Sequence, residues 1–220
     1  MFIPKQIPAM TLKDVVLFPE AIMPLRIFEK RYQMMLSDVI KGERMIAIVA
    51  QRDNHPDDGL IEEPPFEVGT VGLIRVSKKQ TDGTSLVMLQ GISRFRIKSI
   101  ETESPYRVLN VHPLETIVDS KKTIPRDDIL EAMHQNYKLG GIVTREILDY
   151  LSDVKDDSRL IDLIAYTVCH HTIRKQAMLE VQRLHKRAAM LLQDLLTKNM
   201  QLSIERNFLA SDWGKDEQRN

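Results

Sequence analysis

The sequence has little of what marks secreted, membrane or nucleic-acid-binding proteins. It contains one cysteine, Cys169, in 220 residues, so no intrachain disulfide is expected and a reducing compartment is favoured. Lysine plus arginine count 31, and aspartate plus glutamate also count 31, so no global field attracts phosphate backbones or anionic lipid. The N-terminus, MFIPKQIPAM, lacks the apolar core of a signal peptide, and LIDLIAYTV is too short to span a membrane. These absences predict a cytoplasmic, non-membrane protein.

Motifs for catalysis are also missing. A phosphate-binding loop of the form GxxxxGK[ST] is absent, because Gly214 is the only glycine followed by lysine and Asp216 stands where a hydroxyl is needed. No GxSxG nucleophile elbow occurs either. The sequence therefore predicts no catalytic residue and no cofactor.

Two clusters of metal-ligating residue types are present, and neither predicts a metal site. Cys169, His170 and His171 are consecutive, and neighbouring helical positions point about 100° apart, so they do not converge on one ion. In HPDDG, His55, Asp57 and Asp58 could hold a hard cation, but the twelve-residue calcium loop with its closing glutamate is missing. A small buried cysteine and a solvated loop are the favoured interpretations.

The first part of the chain mixes strands with one helix. Residues 14–18, DVVLF, predict a strand that Pro19 ends. Apolar residues at steps of three and four predict a helix over 26–41, and RMIAIVAQ, 44–51, predicts a second strand.

More strands follow in close succession. GTVGLIRVS and SLVMLQ flank Asp82-Gly83, a residue pair that favours a hairpin with a type I′ turn. In SRFRIKSIETE the basic residues alternate with Phe95 and Ile97, which predicts a solvent-facing side bearing the charges. One helix among about six strands predicts a barrel-like or sandwich-like β domain over 1–117.

Beyond residue 117 the apolar period becomes helical. Four segments predict a helical bundle over 118–206, with Ser158 as the N-cap of the third helix. The fourth is predicted as one long helix from about Arg174 past Thr197. Residues 207–220 are predicted to form a flexible tail.

Several motifs in a fixed order make a specific resemblance to a known family. They are Phe18-Pro19, Pro24-Leu25, Val68-Gly69-Thr70, Asp82-Gly83-Thr84, and Gly91 followed by Arg94-Phe95-Arg96. In that order and spacing they resemble the N-terminal domain of the ATP-dependent protease Lon. A weaker resemblance continues into the helices, in IRKQAMLEVQRLHKRAAMLLQDL.

The resemblance implies a fold and an activity. The implied fold is α+β: a PUA-like β pseudo-barrel with one helix, followed by an all-α helical bundle that ends in a long helix. The implied activity is protein or peptide binding, with unfolded or client proteins as partners and a possible homo-oligomer. The stretch PLRIFEKRYQMML resembles the corresponding stretch of short stand-alone bacterial Lon-domain proteins. The AAA+ motor and Ser-Lys protease domains of Lon are missing. No peptide-bond cleavage is therefore expected.

The stretch FPEAIMPLRIFEKRYQMML admits two interpretations. It is either core and strand–helix junction, since helical spacing places Phe28, Tyr32 and Met35 on the core side, or partly a contact surface. The residues predicted for protein binding are Ile22, Met23, Arg26, Glu29, Lys30, Arg31 and Met34.

An RNA-binding PUA-like module is the alternative function. The local basic patch that would carry it consists of Arg75, Lys78, Arg94, Arg96 and Lys98. Alternating charge on a strand is usually a solvated sheet face, and the equal acidic count opposes strong phosphate binding. Nucleic acid is therefore the disfavoured partner.

Overall fold

A computed structural model describes residues 2–53, 59 and 62–216, with side chains up to residue 208. The chain forms two compact units. The first is built from the chain up to Thr116 together with His170–Gln182, and the second from Ile117–Cys169 together with the chain from Arg183 onward. The first unit contains all the strands named below, and the second is helical.

Within the residues that the structure describes, the first unit contains six strands and two helices. The strands are β1 (Gln6–Leu12), β2 (Ile22–Ile27), β3 (Met45–Ala50), β4 (Val68–Lys79), β5 (Ser85–Thr102) and β6 (Val108–Leu114). The helices are α1 (Lys30–Val39) and α5 (Thr172–Glu180).

The strands form one sheet that closes on itself. Their order is β2-β5-β4-β3-β1-β6, and β5 also pairs with β6, so five strands complete a ring while β2 stays outside it. This closure depends on the 18-residue length of β5. Its first half pairs with β2, and its second half pairs with β6. A closed ring leaves few unpaired backbone groups, and the barrel interior holds the apolar core around Phe95.

The structure corrects the prediction of a strand over 14–18. The first strand is instead β1, and Val16, Leu17 and Phe18 are buried without pairing in the sheet. The carbonyl oxygen of Leu17 accepts a hydrogen bond from Thr70 Oγ1 at 2.6 Å. The apolar run is therefore explained by packing over the barrel, which strand propensity does not distinguish from ladder pairing.

The helix predicted over 26–41 begins later than expected. Residues 22–27 form β2, and α1 starts at Lys30. Tyr32 and Met35 are buried, which confirms their place on the core side, but Phe28 is 66% exposed. Phe28 precedes the helix, so helical spacing does not apply to it.

The hairpin between β4 and β5 is confirmed, but its turn differs from the predicted type I′. Only Gly83 of the central pair has a positive φ, of 83°, and its N–H donates to the Gln80 carbonyl at 3.2 Å. This geometry fits a type I turn followed by glycine in the left-handed region.

The described part of the second unit contains four helices. They are α2 (Arg126–Lys138), α3 (Arg145–Asp153), α4 (Asp157–Val168) and α6 (Leu184–Asp216). The N-cap of α4 is Asp156, whose side chain accepts from Arg159 N–H, and the prediction of Ser158 is wrong by two residues. Asp and Ser are both good N-caps, so residue type alone did not separate them.

The predicted long fourth helix is interrupted. Residues 181–183 separate α5 from α6, and Arg183 forms an isolated bridge with Ile117. The N–H of Leu184 donates to the Ile117 carbonyl at 3.0 Å, so a distant segment replaces helical bonds at this point. Helix α6 extends to Asp216 and so includes residues 207–216, for which the sequence predicts a tail. In the part of the chain that the structure describes, no helix contains a continuous apolar stretch of the length that a membrane span requires.

Candidate functional site

An exposed apolar surface lies on the outer side of strands β2, β5 and β4. Along β5, Val87 and Leu89 point into the core, while Leu86 and Met88 are 47% and 37% exposed. Successive side chains of a strand point to opposite faces, so this alternation assigns Leu86 and Met88 to the outer face. The inward-facing and the outward-facing residues are both apolar, which is unusual for a strand with one solvated face.

The register places further apolar residues beside these two. Met88 pairs with Pro24 of β2 on one side and with Val76 of β4 on the other. Directly opposite residues share a face and lie about 5 Å apart, so these three side chains form a row across the sheet. Ile22, two positions before Pro24, is also exposed. We call the set Ile22, Pro24, Val76, Leu86 and Met88 the apolar face.

Basic side chains border the apolar face. Leu86 pairs with Arg26 and with Lys78, so both lie beside it. Arg26 Nη2 donates to Asp82 Oδ2 at 2.6 Å, and the hydrogen bonds from Thr84 to Asp82, followed by this arginine, lower the pKa of Asp82. Arg26 is thus neutralised by a neighbouring carboxylate.

Arg75 has a different partner. Its Nε and Nη2 donate to Gln90 Oε1 at 2.7 and 2.5 Å. A neutral amide orients the guanidinium but leaves its charge uncompensated. Arg75 stands at an irregularity of the β4–β5 ladder, between Ile74 and Val76, which aims it differently from a regular strand residue.

The free side of β2 is poorly suited to adding another strand. In the sheet order β2 is terminal, with β5 as its neighbour. Pro24, in the middle of β2, has no N–H, so it removes a donor that an incoming strand would use. The backbone edge of β2 is therefore a poor binding site for an extended chain, and the side chains of the apolar face are the better one.

Helix α1 holds a separate network of charges. Arg31 donates to both Glu63 carboxylate oxygens, at 3.0 and 2.7 Å, and to Glu29 at 2.9 Å. These bonds, that to Glu63 foremost, raise the pKa of Arg31. The Arg31 guanidinium lies 4.5 Å from the centre of the Tyr32 ring, and burial raises the pKa of Tyr32 to about 12. This network ties α1 to the segment that carries Glu63.

The structure divides the seven residues predicted for protein binding. Ile22 and Arg26 lie on or beside the apolar face. Met23 is buried, and Glu29 and Arg31 belong to the α1 network. Lys30 and Met34 are exposed on α1.

Sequence reasoning missed four members of the apolar face. The sequence places Pro24 in a strand–helix junction and Val76, Leu86 and Met88 in a hairpin, but it does not predict which face of the sheet they occupy. The available signal was the continuous apolar run SLVML beside a hairpin turn, since a strand with one wet face should alternate.

The five residues of the predicted nucleic-acid patch are also separated. Arg75 and Lys78 border the apolar face, and Arg96 pairs with Glu67 at 2.5 Å. Lys98 is exposed. Arg94 is 3% exposed and donates to Thr116 Oγ1 at 3.0 Å, so the prediction of a solvated Arg94 is wrong. Arg94 lies opposite Thr70, which is itself buried and donates to the Leu17 carbonyl, so a segment outside the ladder covers this part of the sheet face.

No group of three or more metal-ligating side chains converges within the part of the chain that the structure describes. Cys169 is buried, with its Sγ 3.9 Å from Asp194 Oδ2. His55, Asp57 and Asp58 lie outside the described residues.

Comparisons with known proteins agree on one family. The family model of the ATP-dependent protease La (LON) substrate-binding domain matches residues 6–198. The Lon protease of Lawsonia intracellularis is 32% identical over 211 residues, which cover 92% of this chain and 25% of that protein. The Lon protease of Escherichia coli K12 is 27% identical over 184 residues, covering 83% of this chain and 23% of that protein. The chain thus spans about a quarter of the length of these relatives.

Solved structures share the fold. A Lon N-terminal domain protein from Xanthomonas campestris superposes with a TM-score of 0.64 at 20% identity, covering 86% of this chain and 97% of that one. The N-terminal domain of a Mycobacterium avium complex Lon protease has the same TM-score at 17% identity, covering 87% and 98%.

Proposed function

This chain belongs to the family of ATP-dependent protease La (LON) substrate-binding domains, and we propose that it binds unfolded segments of client proteins without cutting them. The proposed contact surface is the apolar face. Unfolded chains differ from folded ones mainly in their exposed apolar side chains, so an exposed apolar surface is the feature that recognises them.

The observation that carries this proposal is the row formed by Pro24, Met88 and Val76. Three apolar side chains from three strands stand side by side at the surface, next to Leu86 and Ile22. Covering such a row gains about 25 cal/mol for each Å² of apolar area removed from water. The row sits on a paired sheet, so little conformational entropy is lost on binding.

Methionine suits a surface that meets many sequences. Met88 lies at the centre of the row, and its flexible thioether side chain adapts to ligands of different shape. The exposed Met34 of α1, which the sequence predicts as a contact, extends the proposal to a second flexible residue.

The rest of the proposal concerns chemistry and location. The sequence contains neither a GxSxG nucleophile elbow nor a GxxxxGK[ST] nucleotide-binding loop, so we assign this chain binding and no cleavage. A reducing, cytoplasmic location is favoured by the single cysteine. Binding of RNA has little support, because Arg94 is buried and Arg96 is paired with Glu67.

A binding titration tests this function. The probe is a fluorescently labelled, disulfide-containing protein that has been reduced and carbamidomethylated so that it stays unfolded. The folded, disulfide-intact form of the same protein is the comparison. We expect saturable binding of the unfolded form only, and a double substitution Leu86→Gln and Met88→Gln should weaken it at least ten-fold.

The matched control is Ile173→Gln. Ile173 is 64% exposed on α5 in the same unit and is not a member of the apolar face, so its substitution removes exposed apolar area and leaves the face unchanged. Equal binding of folded and unfolded probe, or equal losses in the control and the double variant, would contradict the proposal.

A further inference from the structure

The charge that borders the apolar face is unbalanced, although the whole chain is neutral. Lysine and arginine equal aspartate and glutamate over the full sequence. On the β2 side of the face, Arg26 is paired with Asp82. On the β4 side, Arg75 is bound to the neutral Gln90, and among the described residues no carboxylate forms an ion pair with Lys78.

The two uncompensated charges flank one apolar residue. Arg75 directly precedes Val76, and Lys78 follows two positions later. Strand residues two apart lie about 6.6 Å from each other and share a face, so Lys78 lies one step along the face from Val76. A ligand that covers Val76 therefore comes within reach of a positive charge on either side.

From this arrangement we infer the class of segment that the face prefers: an extended apolar segment with aspartate or glutamate within a few residues of the apolar side chains. This inference rests on the proposed function. The apolar side chains cover the row of Pro24, Met88 and Val76, and the flanking carboxylates lie against Arg75 and Lys78. Segments flanked by lysine or arginine are disfavoured, because like charges repel at the same place.

The preference has a direction across the sheet. The Arg26–Asp82 pair offers a ligand no net charge on the β2 side. The acidic flank of a bound segment is thus directed towards β4. Because these charges are exposed, their effect on affinity decreases as salt increases.

Three fluorescent peptides with one shared apolar core test the inference. Their flanks carry glutamate, glutamine or lysine, and fluorescence anisotropy at low and high salt measures each affinity. We expect the glutamate-flanked peptide to bind at least five-fold more tightly than the lysine-flanked one at low salt, with a smaller ratio at high salt. Lys78→Glu should abolish or reverse this order.

Lys79→Glu is the matched control. Lys79 is also exposed, but it pairs with the buried Ser85, so it belongs to the other side of the strand. The control changes net charge by the same amount and should keep the order of affinities.

The outcomes separate this inference from the proposed function. Equal binding of all three peptides would overturn the acidic preference and leave client binding intact, and so would equal effects of Lys78→Glu and Lys79→Glu. If none of the peptides binds and the unfolded protein probe does not bind either, the proposed function fails as well.

Discussion

Met88 of β5 lies directly opposite Val76 of β4, and both side chains face solvent. Opposed apolar residues on one face normally belong to a core, where each gains by excluding water from the other. Here they lie on the solvent side of the β2–β5–β4 part of the sheet, whose opposite side, with Val87 and Leu89, is buried.

Single substitutions in this pair should separate binding from stability. We expect Met88→Ser and Val76→Ser each to weaken binding of the unfolded probe about five-fold, since each removes roughly 1 kcal/mol of apolar contact. Both side chains are exposed, so the thermal midpoint should change little. Calorimetry and anisotropy on the same samples check this. A large drop in the midpoint with unchanged affinity would mean that the pair serves folding.

Gly91→Ala should destabilise the first unit strongly. A Cβ at this position would lie 2.0 Å from the Phe18 carbonyl oxygen and 2.8 Å from its carbon, both backbone atoms that cannot rotate away. We expect a loss of roughly 2–4 kcal/mol of unfolding free energy, measured by urea denaturation. At Gly42 no heavy atom lies within 4 Å of the added Cβ, so Gly42→Ala is the control and should change stability by less than about 1 kcal/mol.

The buried ion pair between Arg187 and Asp162 should be costly to break. Arg187 Nε lies 3.0 Å from Asp162 Oδ1, and the two side chains are 0% and 3% exposed. Asp162→Ala removes this carboxylate from beside a buried cation, and we expect a loss of about 3–5 kcal/mol in urea denaturation. Replacing both residues with apolar ones, Asp162→Leu with Arg187→Met, should recover much of that loss.

A half-exposed pair in the same unit provides the comparison. Arg126 and Asp157 are 2.8 Å apart, with side chains 25% and 36% exposed. Asp157→Ala should cost only about 1 kcal/mol, because water screens this pair. Similar losses for Asp157→Ala and Asp162→Ala would contradict the role given to burial.

Stability at high pH should depend on Tyr32. Burial raises the pKa of Tyr32 to about 12, and its hydroxyl donates to the Thr11 carbonyl at 3.3 Å. The unfolded chain releases this proton near pH 10, so between pH 10 and 12 the folded state holds more protons than the unfolded state and stability falls as pH rises. Below pH 10 the contribution is fully present.

A comparison with Tyr32→Phe isolates this effect. The wild-type protein should lose roughly 2–3 kcal/mol more than the variant between pH 10 and 12, because phenylalanine has no proton to release. Urea denaturation at several pH values measures the difference. Parallel pH profiles for the two proteins would show that Tyr32 does not contribute.

Much of the fold follows from local sequence patterns. The period-three-and-four spacing of α1, the apolar run of β3 and the Asp82-Gly83 turn each depend on residues close together in the chain, and each matches an observed element. The ordered motifs that include Phe18-Pro19 and Gly91 indicate the family. Helix boundaries were less accurate, because Asp156 and Ser158 are chemically similar caps and only one accepts the bond.

Most residues of the candidate site could not be predicted from such local patterns. The sequence predicts Ile22 and Arg26, which lie on or beside the apolar face, but it also predicts Met23, which is buried next to Ile22, and it does not predict Met88. Whether an apolar strand residue faces the core or solvent depends on which strand lies beside it, and that partner is far away in the sequence.

By itself, the sequence determined that strands dominate the first part of the chain and helices the rest, and which family the chain resembles, because apolar spacing, turn residues and motif order can be read along the chain. Only the tertiary structure decided that 14–18 packs over the barrel, that Arg94 is buried, and that Pro24, Met88 and Val76 share a surface. The physical reason is that pairing and burial are set by contacts between distant segments, such as Gly91 against Phe18. No local pattern records those contacts.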